Sequence, residues 1–347
     1  MKLRLGKCLM ISVALLATGA FAATAIHYHL AKTIKFGAAP GNREYFDYIT
    51  FDANSRRVFL SHGTEVLAVN ADTGKEEGKV SGLKLSHGIA VVPEVGRGFI
   101  SDGEQGKAII FDLKTLAVLG QADAAPDADC IIYDPASKRV FTFNGDSHSA
   151  TAIDPETGKN AGTIDLGGAP EFAVADGQGM IYNNLEDKSV VLAIDSRNLQ
   201  VKARWPIAPA GAPAPIAMDR EHRRLFVAGR EPANLVVMNA DDGKVIQSFP
   251  ISNGADADVY DAKTGRIFVS TREGWVHIFH QDSPDHYSEV GKLKTEFGAK
   301  TMAYDPKTER IFVDTAEFTK PPEPTKEHPH PRPAALKGTL HLLVYTP

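Results

Sequence analysis

Seven aromatic residues recur along this chain in one local pattern: Phe59, Phe99, Phe141, Tyr182, Phe226, Phe268 and Phe312, at intervals of 40, 42, 41, 44, 42 and 44 residues. A fixed period near forty residues marks a repeat architecture and constrains the fold before any local reading. Each unit follows one grammar. The third unit runs from Asp129 to Asp134, turns through Pro135–Arg139, and continues as Val140–Phe143, which carries the aromatic. A polar loop at Asn144–His148 leads to Ala150–Asp154 and a second turn at Pro155–Gly158. Proline fixes φ, glycine permits positive φ, and aspartate bonds its own backbone, so both turns are encoded locally. A fourth, more polar strand follows, such as Lys159–Asp165 or Val245–Ile251.

Four short antiparallel strands per unit in seven units predict an all-β, seven-bladed β-propeller. The last unit supplies only three strands, at Thr301–Tyr304, Ile311–Asp314 and Leu340–Tyr345. A strand-like run at Ile26–Phe36 has no partner of its own. It is expected to be the outer strand of the seventh blade, so that the N-terminal strand closes the ring and no edge is left open. The aromatics are expected to be blade packing, as are Trp205 and Trp275.

The composition supports a packed core: 43% hydrophobic, 23% charged, formal net charge −5. Phosphate binding needs a concentrated basic face, so nucleic acid is not the expected partner. The longest basic runs are the pairs Arg56-Arg57 and Arg223-Arg224, read as strand edges at turn exits. Residues 1–22 read as a secretory signal. Lys2, Arg4 and Lys7 precede the apolar run Cys8–Ala20, and Ala20-Phe21-Ala22 is a small-x-small cleavage site, with Ala23-Thr24-Ala25 as the alternative. The run is short for a membrane span; an uncleaved anchor is the alternative. The expected product is a propeller over residues 26–347, periplasmic or secreted, with no stable membrane span. Its one remaining cysteine, Cys130, lies in an apolar run and reads as a buried hydrophobe.

In such a blade the innermost strand starts at one face, and the loop between the second and third strands returns there. The inner-strand starts are read as Asp47, His87, Asp129, Glu171, Pro215, Asp258 and Lys300. The returning loops contribute His62, Asp102, Asn144, Asn183, Asn184, Arg230, Arg272 and Asp314. Crowded carboxylates repel unless something offsets them. Lys300, Arg230 and Arg272 could neutralise the ring internally. A divalent cation could do so through His87, Asp129, Glu171 and Asp258. A ligand could occupy the mouth. A solvated channel rim, satisfied by water and neighbours, is the alternative to all of these.

Residues 317–337 form a Pro/His-rich insertion in the last blade, Lys320-Pro-Pro-Glu-Pro324 and Glu327-His-Pro-His-Pro-Arg-Pro333. It follows a second strand and is expected to emerge over the same face, as an extended tether or a lid. His328 and His330 are its candidate metal ligands. No Gly-rich phosphate cradle, nucleophile elbow or helical metal motif is present in the sequence.

The second-strand segments Arg57-Val-Phe-Leu60, Arg266-Ile-Phe-Val-Ser270 and Arg310-Ile-Phe-Val313 resemble the YVTN repeat, as do Ile153–Gly158 and Ala169-Pro170. Over about residues 26–347 the chain resembles the YncE-like exported bacterial seven-bladed propellers. It departs from them at Pro93-Glu-Val-Gly96, which replaces the aspartate turn, and in the long insertion. The resemblance implies the propeller fold and leaves function broad, since related propellers include binding proteins, lactonases and lyases. The leading expectation is a binding protein that recognises a peptide, another exported protein or a small molecule at an acidic mouth. The alternative is a metal-assisted hydrolase, lactonase or lyase at the same mouth. There the acids and His87 would hold an ion, and Lys300 or Arg272 would stabilise developing negative charge.

Overall fold

The computed structural model describes residues 27–41, 44–325 and 331–347. The expected signal at 1–22 lies outside the described residues. The chain forms seven four-stranded antiparallel sheets arranged as a closed propeller. The first blade is typical: inner strand Ile49–Asp52, second strand Arg57–His62, third strand Glu65–Asn70 and outer strand Glu76–Ser81. The seventh blade takes Met302–Asp305, Arg310–Thr315 and His341–Thr346 from the C-terminal end and His29–Lys35 from the N-terminal end. The closing strand is largely exposed, but the residues flanking it are anchors. Tyr28 meets Phe268 edge-on at 5.9 Å, and Phe36 is buried beside Leu340 and Leu342.

Among the described residues the buried apolar side chains do not form a single central core. Seven apolar clusters lie in the seven seams between adjacent blades, and each contains one of the periodic aromatics. Phe59 packs edge-on against Phe111 of the next blade, while Phe226 meets Tyr260 tilted and Phe268 stacks on Tyr304, each again across a seam. A fully buried aromatic of this kind stabilises the fold by about 1.5–3 kcal/mol.

The seams are also stitched by polar groups on the face where the inner strands end. The turn aspartates cap their own turns, as Asp134 does by accepting from Ala136 N–H at 3.1 Å. The same carboxylates reach across seams: Ser196 donates to Asp134, Gln281 to Asp219, Tyr304 to Asp261 and Arg56 to Asp305. The arginine that opens most second strands donates to a turn carbonyl of the following blade. Arg57 reaches Leu113, Arg97 reaches Pro155, Arg139 reaches Ser196, Arg224 reaches Pro284 and Arg310 reaches Ala71. The blade that follows Arg266 has no third-to-fourth turn, because its outer strand comes from the other chain end; Arg266 pairs with Glu309 instead. The fourth blade has Met180 in place of the arginine. There Tyr182, the one tyrosine among the seven aromatics, donates its hydroxyl to Ala240 of the next blade at 2.9 Å.

Candidate functional site

The inner strands begin on the other face, and a constant offset identifies what they present there. Five residues before the turn aspartate lie Asp47, Asp129, Glu171, Ala214, Asp256 and Lys300, with His87 at the matching place in the second blade. All of these except Ala214 line one cavity of about 720 Å³ at the axis of the ring. Asp256 therefore holds the place expected for Asp258, and Ala214 the place expected for Pro215.

The main chain at these starts is fixed from behind. Ser101 donates to Asp129 O and Ser270 to Lys300 O, each from the preceding blade's second strand. Asn184 donates to Ala214 O at 2.9 Å and Pro215 O at 3.0 Å. Asp47 N–H donates to Ser61 Oγ at 2.7 Å. The side chains thus project from a rigid rim.

The mouth is a mosaic of paired charges rather than a bare acidic ring. Lys300 Nζ lies 2.9 Å from Asp47 and 2.6 Å from Asp256. Arg230 spans Glu171 at 3.2 Å and Glu186 at 2.8 Å, and also pairs with Asp256. His87 Nδ1 lies 2.9 Å from Asp47 Oδ2 and 3.2 Å from Asp129 Oδ1. The Tyr45 hydroxyl donates to Asp47 at 3.0 Å and sits 2.9 Å from the same imidazole nitrogen. The ring of His87 rests over Gly103, where a Cβ would stand 2.7 Å from Nε2, so only glycine fits.

These contacts set the charge states. Burial disfavours ionised Asp47, yet Lys300 and His87 beside it hold its carboxyl well below the usual range. Burial also opposes a charged His87, but the hydrogen bonds to Asp129 and Asp47 outweigh it and raise the pKa to about 10. Burial pushes Asp129 up, and it pushes Glu171 well up against the pull of Arg230. Lys300 is partly buried, and the carboxylates of Asp256 and Asp47 more than offset the lost hydration, so it stays protonated.

The cavity has a floor and a lid. Tyr48 and Phe172, one residue past the rim in the first and fourth blades, stack across the axis with ring centroids 4.4 Å apart. The insertion leaves as a short stem: Thr319 N–H donates to Ala334 O at 2.9 Å and Leu336 N–H to Glu317 O at 2.7 Å. Phe318 pins the stem on Phe297 and Phe46 at 5.5 and 6.4 Å. Arg332, Pro333, Ala334, Ala335 and Lys337 then line the cavity from above. The insertion is a fastened cover at its base rather than a free tether. His328 and His330 lie outside the described residues.

Of the residues expected at the mouth, Asp47, His87, Asp129, Glu171, Lys300, Arg230 and Arg272 line the cavity. The others stand one layer behind it. His62 is buried and bonds Glu44 at 2.5 Å, and Glu44 in turn accepts from Gly338 where the insertion returns. Asp102 accepts from Lys84 and Leu85 N–H and shapes a loop. Asn144 bonds within its own hairpin to Ser149 and Thr151. Asn183 supports the main chain of Glu171 and Phe172, and Asp314 accepts from Thr301. Asp258 is turned away, with both carboxylate oxygens buried.

The grouping with metal-ligand spacing among the described residues is Asp47, His87 and Asp129, whose ligand atoms lie within 4.8 Å of one another. Glu171 is engaged by Arg230, and Asp258 is elsewhere, so the expected four-residue set does not assemble. The three groups that do meet are matched to an imidazolium held between two carboxylates.

No family model matches the sequence, and no curated protein matches it. Solved structures match the fold. A chain of Kuenenia stuttgartiensis hydrazine synthase aligns at TM-score 0.70 with 14% identity, over 79% of this chain and 94% of that one. A chain of a mitotic checkpoint complex aligns at TM-score 0.73 with 11% identity, over 99% of both. U3-55K aligns at TM-score 0.71 with 6% identity, over 89% of this chain and 98% of that one. At these identities the likeness is one of fold. The seven-bladed propeller is common ground, and the lining of the cavity has to be read on its own terms.

Proposed function

We propose that this protein is an exported binding protein that holds a small ligand in the lidded cavity at the propeller mouth. The observation that carries the proposal is the cavity itself: about 720 Å³, closed below by the Tyr48–Phe172 stack and covered by the stem at Phe318. That volume is in the range of small-molecule sites, roughly 300–1,000 Å³. Its apolar surface comes from aromatic rings and from Pro333, Ala334 and Ala335 of the cover, and its polar groups are held by the bonds behind the rim. Rigid polar groups recognise a ligand without a further ordering cost. The resemblance to exported YVTN-repeat propellers and the N-terminal signal pattern support placing this activity outside the cytoplasm.

The test is a thermal-shift screen of small metabolites against the protein and an Ala334→Trp variant, which fills the cavity from the cover. Ligands of the cavity should raise Tm in the parent and not in the variant. Equal shifts in both proteins would remove the cavity as the site.

A metal-assisted hydrolase or lyase is the second reading, favoured by the meeting of Asp47, His87 and Asp129. It requires His87 to give up the proton that its two carboxylate neighbours stabilise. Titration with Mg²⁺, Ca²⁺, Mn²⁺ and Zn²⁺ in chelator-treated protein distinguishes the readings. A stoichiometric ion that raises Tm supports the enzyme; four silent ions remove it.

A further inference from the structure

We infer that the ligand is a short zwitterion of peptide size, its carboxylate held by Arg272 and Arg332 and its ammonium by Asp127. This rests on the cavity being a small-molecule site. Most charges on the cavity wall are already paired within the protein. Lys300 and Arg230 are each shared between carboxylates of the rim, and His87 lies between Asp47 and Asp129. Glu44 on the same wall is bonded to His62, and Lys337 donates to the Gly41 carbonyl. Among the described residues, the charged cavity-lining side chains left with neither a hydrogen bond nor an ion pair are Arg272, Arg332 and Asp127.

Arg272 sits in the returning loop of the sixth blade and lines the cavity. Its main chain is fixed, with N–H donating to Gly254 O and the carbonyl accepting from Gly298 N–H, both at 2.8 Å. Its guanidinium has no hydrogen bond or ion pair among the described residues, although burial pushes its pKa down. Arg332 reaches the same cavity from the cover, also without a partner among the described residues, and the two guanidiniums repel. Asp256 and Asp47 attract Arg272 from beyond ion-pair distance, but no carboxylate touches either guanidinium among the described residues, so two like charges facing one space, one of them partly buried, are stabilised when an anion joins them. A guanidinium offers a planar fork of donors that matches a carboxylate.

Asp127 stands three blades away, before the inner strand of the third blade, and lines the cavity too. Its backbone is in the left-handed region at φ 57°. Gly145 gives it room, since a Cβ there would stand 2.2 Å from Asp127 Oδ2. Its carboxylate has no hydrogen bond or ion pair among the described residues. Three blades is as far apart as a seven-membered ring allows, so the two unpaired signs face each other across the mouth. A ligand that satisfies both must carry opposite charges at its two ends and cross the floor of Tyr48 and Phe172.

The experiment uses pooled free tripeptides, the same pool amidated at the C-terminus, and the same pool acetylated at the N-terminus, with occupancy read by native mass spectrometry. The free pool should load the protein. Amidation should cut occupancy at least about tenfold, and that penalty should vanish in Arg272→Met. Acetylation should cut it as well, with the penalty lost in Asp127→Asn. Equal capture of free and blocked pools, penalties that persist in the variants, or no capture at all would overturn the inference. A parallel pool of neutral sugars separates the two levels. Sugar capture that Ala334→Trp abolishes would leave the cavity as a binding site and sink the zwitterion.

Discussion

Asp258 lies in a row that the other blades fill with Ile49, Ile89, Ile131, Ala173, Ile216 and Met302. Burial pushes its carboxyl well above the usual carboxylate range. A raised pKa in the folded state gives stability that is complete at low pH, below the unfolded value near about 4, and is lost as pH rises through the folded value. Asp258→Asn removes that loss. It should match the parent near pH 4 and exceed it by about 1–3 kcal/mol at pH 8, read by urea unfolding at both values. A difference that does not change with pH would contradict this. The segment Ala255-Asp-Ala-Asp258 also shows where the sequence stops being legible. Two acids two residues apart share the alternation of a strand, so periodicity cannot choose between them. The register shift between Ala255 and Ala257 separates their surroundings and sends Asp256 to the cavity. Counting five back from the turn aspartate would have found Asp256. No local signal marks Arg332 or Asp127, whose roles depend on chain brought in from distant blades.

At the scale of the element, the blades and their turns could be read directly, because proline, glycine and aspartate act within a few residues. The seams could not. The carbonyl that accepts from Arg97 belongs to Pro155, 58 positions along the chain. The arginine pairs read as strand edges are in fact half of a fastening that the sequence shows from one side only. The fourth blade tests this account. Tyr182→Phe keeps the packing and deletes the bonds to Ala240 and from Arg223, each 2.9 Å. It should cost about 1 kcal/mol, and Met180→Arg placed on that background should recover part of it, as measured by denaturant midpoint. A neutral Tyr182→Phe would mean that this seam is held by packing alone.

For the whole molecule, closure by two distant segments makes the ring one cooperative object. Removing residues 27–36 deletes the closing strand together with the anchors Tyr28 and Phe36 and exposes the edge at His341–Thr346. The truncated protein should lose about 10 °C or more in Tm and self-associate through the bare edge. Calorimetry and light scattering would show this; an unchanged, monodisperse protein would argue that the other six blades are self-sufficient.

The same closure fixes how the molecule is presented when it is held. His29 pairs with Thr346 where the third strand ends, on the face opposite the cavity. A tether entering before His29 or leaving after Thr346 therefore departs from the back of the disc and leaves the lidded side free. Tension applied between those two points would load the His29–Thr346 pair first and peel the strand like a zipper, one hydrogen bond at a time. A ring that resists heat as a unit would yield to a modest pull at its clasp.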